Sequence, residues 1–235
     1  MILEYLPWDS SFFNKKTGKI IFSINDETQL KLLLKQAILD GYQLLYLFGD
    51  ENIFLNREIS NEFNGTLIDQ KILYTKSIVE ADLKESIAIE YTSEEITSEL
   101  ENLTYLSGVH SRFRLDSNFQ ADDFYRLYKK WITKSISHKI ADYVFVIKEN
   151  ELIMGMVTLI IKDSIGEIGL IAVSESVQGK GYGKDLINKC INQLISIGIC
   201  QINVTTQIEN LSACRFYKSC GFEKKSLTNI YHFWL

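Results

Sequence analysis

The sequence predicts an α/β (α+β) chain in which strands and helices interleave from end to end. Three observations carry that expectation. An apolar run at residues 168–173 passes through a short polar turn into glycines at alternate positions, Gly179, Gly181 and Gly183. Residues 184–197 follow, with Leu186, Ile187, Cys190, Ile191, Leu194 and Ile195 recurring on one helical face. Upstream, strand-like and helix-like segments alternate from residue 19 to residue 79.

Taken in order, the chain opens with its only proline, Pro7, and an aromatic-rich turn, Trp8-Asp9-Ser10-Ser11-Phe12-Phe13. Residues 19–23 read as a strand. Asn25, Asp26, Glu27 and Thr28 supply caps for a helix over 28–39, which Gly41 ends. An apolar strand over 43–48, a helix over 53–63 and a strand over 71–79 follow. The polar, acidic connection at 77–89 sets the expected domain boundary, with a smaller N-terminal α/β domain over 1–85 and the main domain over 86–235.

A helix is expected over 92–106, then a loop over 108–116 that holds His110, Arg112 and Arg114. The segment 122–137 is helical, with Phe124, Leu127, Tyr128, Trp131 and Ile132 on one side. Residues 141–148 and 152–161 form a hairpin about Glu149-Asn150. In the strand over 199–206, Asn203 and Thr205 alternate with Ile202 and Val204. A helix over 210–219 ends at Gly221, where glycine suits a left-handed stop. Residues 229–235 form a last, aromatic strand, with an edge for pairing in a homodimer. No internal repeat or low-complexity tract appears.

Composition narrows the function. Of 235 residues, 46% are hydrophobic, enough for a packed core, and the net charge of -5 argues against a nucleic-acid groove. It leaves room for a local cationic pocket. Cys190, Cys200, Cys214 and Cys220 lack metal-ligand spacing and a histidine cluster, so no metal is expected. The first residues lack the pattern of a signal peptide, and no apolar run approaches the roughly 18 residues of a membrane span. A reducing cytoplasm fits these features.

The glycine stretch carries the chemistry. A helix start presents unpaired backbone N–H groups and the positive end of the dipole, and glycines let a phosphate approach them. No acidic residue follows as in a dinucleotide fingerprint, and no Gly-Lys-Ser/Thr closes the loop. The order Gln178-x-x-Gly181-x-Gly183 after a strand resembles the pyrophosphate loop of the GCN5-related N-acetyltransferases (GNAT). That resemblance implies the GNAT fold, a mixed central sheet flanked by helices, and acetyl-coenzyme A as cosubstrate. It places cofactor contacts at Gln178, Gly179, Lys180, Gly181, Tyr182, Gly183 and Lys184, and at Ile171, Ala172 and Val173 of the preceding strand.

A second signal is Asn210-x-x-Ala213-x-x-x-Tyr217-x-x-x-Gly221-Phe222. Asn210 and Tyr217 lie two helical turns apart and face the same way. In the resembled family, this asparagine meets the cofactor arm and this tyrosine approaches the thioester sulfur. Alone, Tyr217 reads as a half-buried core tyrosine, and it is the glycine loop in the right order before it that favours the functional reading.

Over its full length the chain resembles the dTDP-fucosamine acetyltransferases. The shared features are Leu3 through Phe13, Ser111-Arg112-Phe113-Arg114, Phe124-Tyr125 and Trp131-Ile132, with a less distinct match at Tyr231 to Leu235. The resemblance implies acetylation of the 4-amino group of a nucleotide-linked 4-amino-4,6-dideoxygalactose, a step of cell-surface polysaccharide synthesis. Arg112 and Arg114 suit its phosphates, because guanidinium forks bind phosphate at two points.

Amine attack on a thioester needs an unprotonated amine, a polarised carbonyl and a proton for the thiolate. Glu167, spaced from Gln178 as in histone-type acetyltransferases, is the first candidate base, or else a solvated strand-end charge. His110 is the second candidate. Backbone N–H groups near 171–173 suit the carbonyl oxygen, and Tyr217 the sulfur. Acetylation of a protein amine or polyamine, and a non-catalytic coenzyme A-binding regulatory module, are the alternatives.

Overall fold

The computed structural model describes residues 1–22 and 26–235. One sheet runs through it. Its strands are β1 (Leu3–Tyr5), β2 (Thr17–Phe22), β3 (Leu44–Asp50), β4 (Gly65–Ser77), β5 (Ile89–Glu90), β6 (Tyr143–Glu149), β7 (Leu152–Lys162), β8 (Ile165–Val173), β9 (Gln201–Gln207) and β10 (Glu223–Trp234). The helices are α1 (Pro7–Phe13), α2 (Glu27–Leu39), α3 (Arg57–Glu62), α4 (Ser98–Ser107), α5 (Arg112–Leu115), α6 (Asp123–Ile136), α7 (Tyr182–Ser196) and α8 (Leu211–Ser219). The strand order is β1-β2-β3-β10-β4-β9-β8-β7-β6-β5. Parallel pairing at β2–β3 and β8–β9 interrupts an otherwise antiparallel array, so the sheet is mixed.

Helices cover both faces. On the back face, α2 and α3 bury Leu30, Leu34, Ala37 and Ile59 against β2, β3 and β10. Farther along that face, α7 and α8 bury Leu186, Ile187, Cys190, Ile191, Leu194 and Cys214. On the front face, α1, α4 and α6 pack on Leu44, Tyr46, Val144, Val146, Leu170 and Ala172.

The last strand is longer than its aromatic end indicates and lies inside the sheet. β10 pairs with β3 on one side (His232 with Tyr46) and with β4 on the other (Ile230 with Asp69). Both edges are taken from Thr228 to Phe233, so the aromatic end has no free edge to offer a second copy. The expected boundary at 85 and 86 falls between β4 and β5, and the sheet is continuous across it. The Asp185 carboxylate on α7 accepts from Ser86 Oγ (2.8 Å) and from the N–H groups of Ile87 and Ala88 (both 3.1 Å), strapping that connection down.

Several elements differ from expectation for local reasons. Residues 7–13 form a helix because Pro7 sits at its first turn with φ already set. The helix expected from residue 92 starts at Ser98, where Thr97 accepts the Leu100 N–H at 3.3 Å. The helix expected over 53–63 starts at Arg57, behind an Asn56 cap. Arg112–Leu115 winds into one helical turn rather than a loop. Asp26 caps α2 as expected, whereas Asn25 and the end of the first strand at Ser23 lie outside the described residues.

One irregularity positions the site. β8 pairs with β9 only at Gly166–Ile202, Glu167–Asn203 and Ile168–Val204. Beyond that, β8 stays with β7 to Val173, and β9 stays with β4 to Gln207. The strands part into a fork between 169–173 and 205–207. A bulge causes the bend: Val157 faces Ile171, but Leu159 faces Ile168, so residues 169 and 170 oppose Thr158 alone. The Thr158 hydroxyl accepts the Leu170 N–H at 2.8 Å, and a Cβ on Gly169 would fall 2.8 Å from that oxygen.

Candidate active site

Behind the fork, the glycine loop leads into α7. Gly179 and Gly181 hold φ of +83° and +89°, a left-handed backbone that favours glycine, and a Cβ on either would meet nothing within 4 Å. The loop is therefore open above. No side chain caps α7, whose first helical bond runs from Asp185 N to Gly181 O, so its leading N–H groups point outward. Gly183 has a different reason: a Cβ there would press on the Phe216 ring at 3.1 Å. Lys180 and Tyr182 both reach the Glu149 carboxylate. The open loop and uncapped amides fit a diphosphate.

The fork supplies further donors. Leu170 N and Ser174 N both point toward β7, to Thr158 Oγ1 and Met154 O. By the two-residue period of a strand, the N–H groups of Ile171 and Val173 point the other way, into the fork.

Tyr217 lies under the back of the fork. Its ring is 6.0 Å from Tyr74 and 5.8 Å from Phe222, and Tyr74 pairs with Val204, the last β9 residue held by β8. Burial pushes its phenol well above the usual range, so it keeps its proton. Asn210 is the α8 cap: its Oδ1 accepts the Ala213 N–H at 3.0 Å.

In front of the fork lies a polar chamber under α5. The Arg112 guanidinium sits 4.4 Å from the Tyr46 ring centre and 4.7 Å from Phe113, and Tyr46 is 4.9 Å from the His232 ring. His232 Nδ1 lies 2.6 Å from Asp116 Oδ2. Six buried polar atoms here have no partner among the described residues: Tyr46 Oη, both Asp69 carboxylate oxygens, Ser111 Oγ, Arg112 Nε and His232 Nε2. Burial raises the Asp69 pKa from its ordinary value, and burial with Arg112 nearby lowers Lys71 to about 8. Buried polar groups are ordinarily paired, so this concentration on one face is what a polar ligand would satisfy.

The structure unites some sequence candidates and separates others. Arg112 joins the chamber, but Arg114 leaves α5 in another direction and donates to Tyr125 Oη at 3.0 Å. Glu167 is half-buried on the front face, just before the fork opens. His110 is also half-buried, in the turn before α5. Sequence reading missed Tyr46, Asp69, Lys71 and the Asp116–His232 pair. Asp69 and Lys71, two charges on one face of a strand, were the available signal. A separate cleft of about 640 Å³ between α1 and α6 is lined by Trp8, Phe12, Arg126, Lys129, Lys130 and Lys134. There Trp8 and Phe12 stack at 5.0 Å. Among the described residues no His, Cys, Asp or Glu group is arranged to hold a metal ion, and no helix is long and apolar enough to cross a membrane.

Known proteins are similar to this chain in sequence and fold. The chain is 32% identical over 116 residues to an uncharacterised N-acetyltransferase of Methanocaldococcus jannaschii, a match taking in 45% of this chain and 51% of that protein. It is 24% identical over 124 residues to the spore coat polysaccharide biosynthesis protein SpsD of Bacillus subtilis, across 53% of this chain and 43% of the relative. The matches thus span about half the length of these curated relatives. A GCN5-related N-acetyltransferase from Sphaerobacter thermophilus has the same fold, with a TM-score of 0.62 at 12% identity, over 98% of this chain and 75% of its own. The model of the acetyltransferase (GNAT) family matches residues 105–222, and the chain belongs to that family of acyltransferases.

Proposed function

We propose that the protein transfers acetyl from acetyl-coenzyme A to the amino group of a nucleotide-linked amino sugar resembling dTDP-4-amino-4,6-dideoxygalactose. The observation that carries this reading is the fork, with an open glycine loop behind it and a chamber of unpartnered polar groups in front. A thioester arm laid in the fork meets the N–H groups of Ile171 and Val173, which stabilise the carbonyl oxygen as charge grows there. The loop from Gln178 to Lys184 takes the diphosphate, and the amide of Asn210 borders the arm. Tyr217 gives its proton to the departing sulfur.

The chamber favours an acceptor rich in hydroxyl and acidic groups. Residues 1–85 supply Tyr46, Asp69 and Lys71, so this segment is the acceptor-recognition unit. The cationic cleft beside Trp8 suits a nucleotide, with aromatic faces for a base and cations for phosphates. The name of the Bacillus subtilis relative, which concerns polysaccharide biosynthesis, points the same way.

The test is an acceptor panel with acetyl-coenzyme A, reading free thiol and product mass. Thymidine- and uridine-diphosphate 4-amino sugars, free amino sugars, polyamines and lysine peptides are included. Turnover highest with the nucleotide-linked sugars is expected. Turnover confined to polyamines or peptides overturns the acceptor assignment, and tight acetyl-coenzyme A binding without turnover on any amine overturns the enzymatic reading.

A further inference from the structure

Asp69 stands out in the front chamber. It is 5% exposed, yet neither carboxylate oxygen completes a well-formed hydrogen bond among the described residues, the nearest donors being the Gln207 side chain and the Gln70 N–H. A buried carboxylate normally accepts several hydrogen bonds, so leaving both oxygens without one is costly. No packing need explains it, because an apolar residue would fit a strand interior better.

Register shows what it faces. Lys71 lies opposite Gln207 at the end of β9, on the β9 side of the fork, and Asp69 is two residues farther on the same face. Strands rise about 3.4 Å per residue and lie about 4.8 Å apart, which puts the Asp69 Cα about 8 Å from that edge. His232 lies four residues beyond Thr228, the β10 partner of Lys71. The same arithmetic puts it about 17 Å away. Asp69 therefore stands much nearer than His232 to an amine entering the fork. The charged and titratable groups acting on Asp69 are Lys71 on β4, Arg112 on α5 and Tyr128 on α6, while Asp9 on α1, Tyr46 on β3 and His232 on β10 surround Arg112.

Resting on the acetyl-transfer reading above, we propose that Asp69 is the base that takes the proton from the acceptor's ammonium group. The step balances. Asp69 removes one proton, and the freed electron pair forms the C–N bond at the thioester carbonyl while the C–S bond breaks. The second proton lost by nitrogen offsets the one that Tyr217 gives to sulfur. Asp69 is left with the net proton and passes it to solvent. Burial raises its pKa, bringing the carboxylate nearer the range where a base works well at neutral pH.

The experiment compares wild type, Asp69→Asn, Asp69→Ala and Glu167→Gln from pH 6 to pH 10 with the best acceptor of the panel. Asp69→Asn is expected to lower kcat at neutral pH by about 10²–10⁴-fold. Its acetyl-coenzyme A affinity and melting temperature are retained, and the loss shrinks toward high pH, where the amine is already free. Added formate is expected to restore part of the turnover of Asp69→Ala. Wild-type kcat in Asp69→Asn at neutral pH overturns the proposal, as does a pH-rescued loss found in Glu167→Gln instead. These results leave acetyl transfer itself standing. Only a wild type that acetylates no amine removes both readings.

Discussion

His232 Nδ1 and Asp116 Oδ2 lie 2.6 Å apart, joining the strand inside the sheet to the turn that follows α5. The indole N–H of Trp234 donates to the same oxygen at 2.9 Å. Burial lowers the His232 pKa below its ordinary 6.5, so the ring is neutral, Nδ1–H donates and Nε2 is left as an acceptor. Burial alone would raise Asp116, but hydrogen bonds from His232, Asn118 and Trp234 outweigh it and hold the carboxyl at about 2. Both groups are depressed in the folded state, so both contribute stability at higher pH that is lost as pH falls. The loss begins as pH drops below 6.5 through His232, and continues from 3.8 to about 2 through Asp116. The Asp116 share is about 2 kcal/mol. The melting temperature is expected to fall between pH 7 and pH 5, and to fall less in His232→Gln. A flat profile, or the same slope in the variant, contradicts this.

Tyr217→Phe removes one hydroxyl and leaves the ring against Tyr74 and Phe222. The fold and acetyl-coenzyme A affinity are therefore expected to hold, while kcat falls by about 10²–10⁴-fold. Calorimetry gives the affinity and a thiol assay the turnover. An undiminished kcat removes Tyr217 as the proton donor to sulfur.

What could be read in advance followed from local rules. The apolar face of α7 is written at helical spacing, and Leu186, Ile187, Cys190, Ile191 and Leu194 are all buried. The helix beginning beside Asn210 and the stop at Gly221, with φ of +83°, are likewise local. The fork is not: where β8 leaves β9 depends on a bulge that shows only against Thr158 on the neighbouring strand. The chamber is less legible still. Tyr46, Asp69 and His232 meet because the C-terminal strand enters between β3 and β4, a non-local pairing that no window of sequence contains. Arg112 and Arg114 looked equivalent because a loop leaves side-chain direction open. The single turn of α5 sends them apart.

The three loop glycines separate binding from packing. Ala at Gly181 meets no neighbour, so its cost is backbone strain of about 1 kcal/mol or more, borne by the loop. Gly181→Ala is expected to weaken acetyl-coenzyme A binding about tenfold with little change in melting temperature. Gly183→Ala pushes α7 against Phe216 and is expected to lower the melting temperature as well. Equal behaviour of the two variants in calorimetry and thermal melting contradicts the distinction.

Arg112 and Arg114 give the clearest contrast in acceptor recognition. Arg112 lies over Tyr46 with an unpartnered Nε, whereas Arg114 is exposed and bonded to Tyr125. A hydrogen bond to a charged group contributes about 1.5–3 kcal/mol, so Arg112→Ala is expected to raise the acceptor KM by about 10- to 100-fold. The KM for acetyl-coenzyme A changes little. Arg112→Lys restores little of the loss, because a lysine ammonium does not present two parallel donors. Arg114→Ala is expected to leave both constants within about twofold, as befits a surface charge already engaged with a neighbour. Equal rises in both KM values for Arg112→Ala would place its effect on the fold rather than on the acceptor. A large rise for Arg114→Ala would mean that the acceptor extends past α5 to the Tyr125 surface.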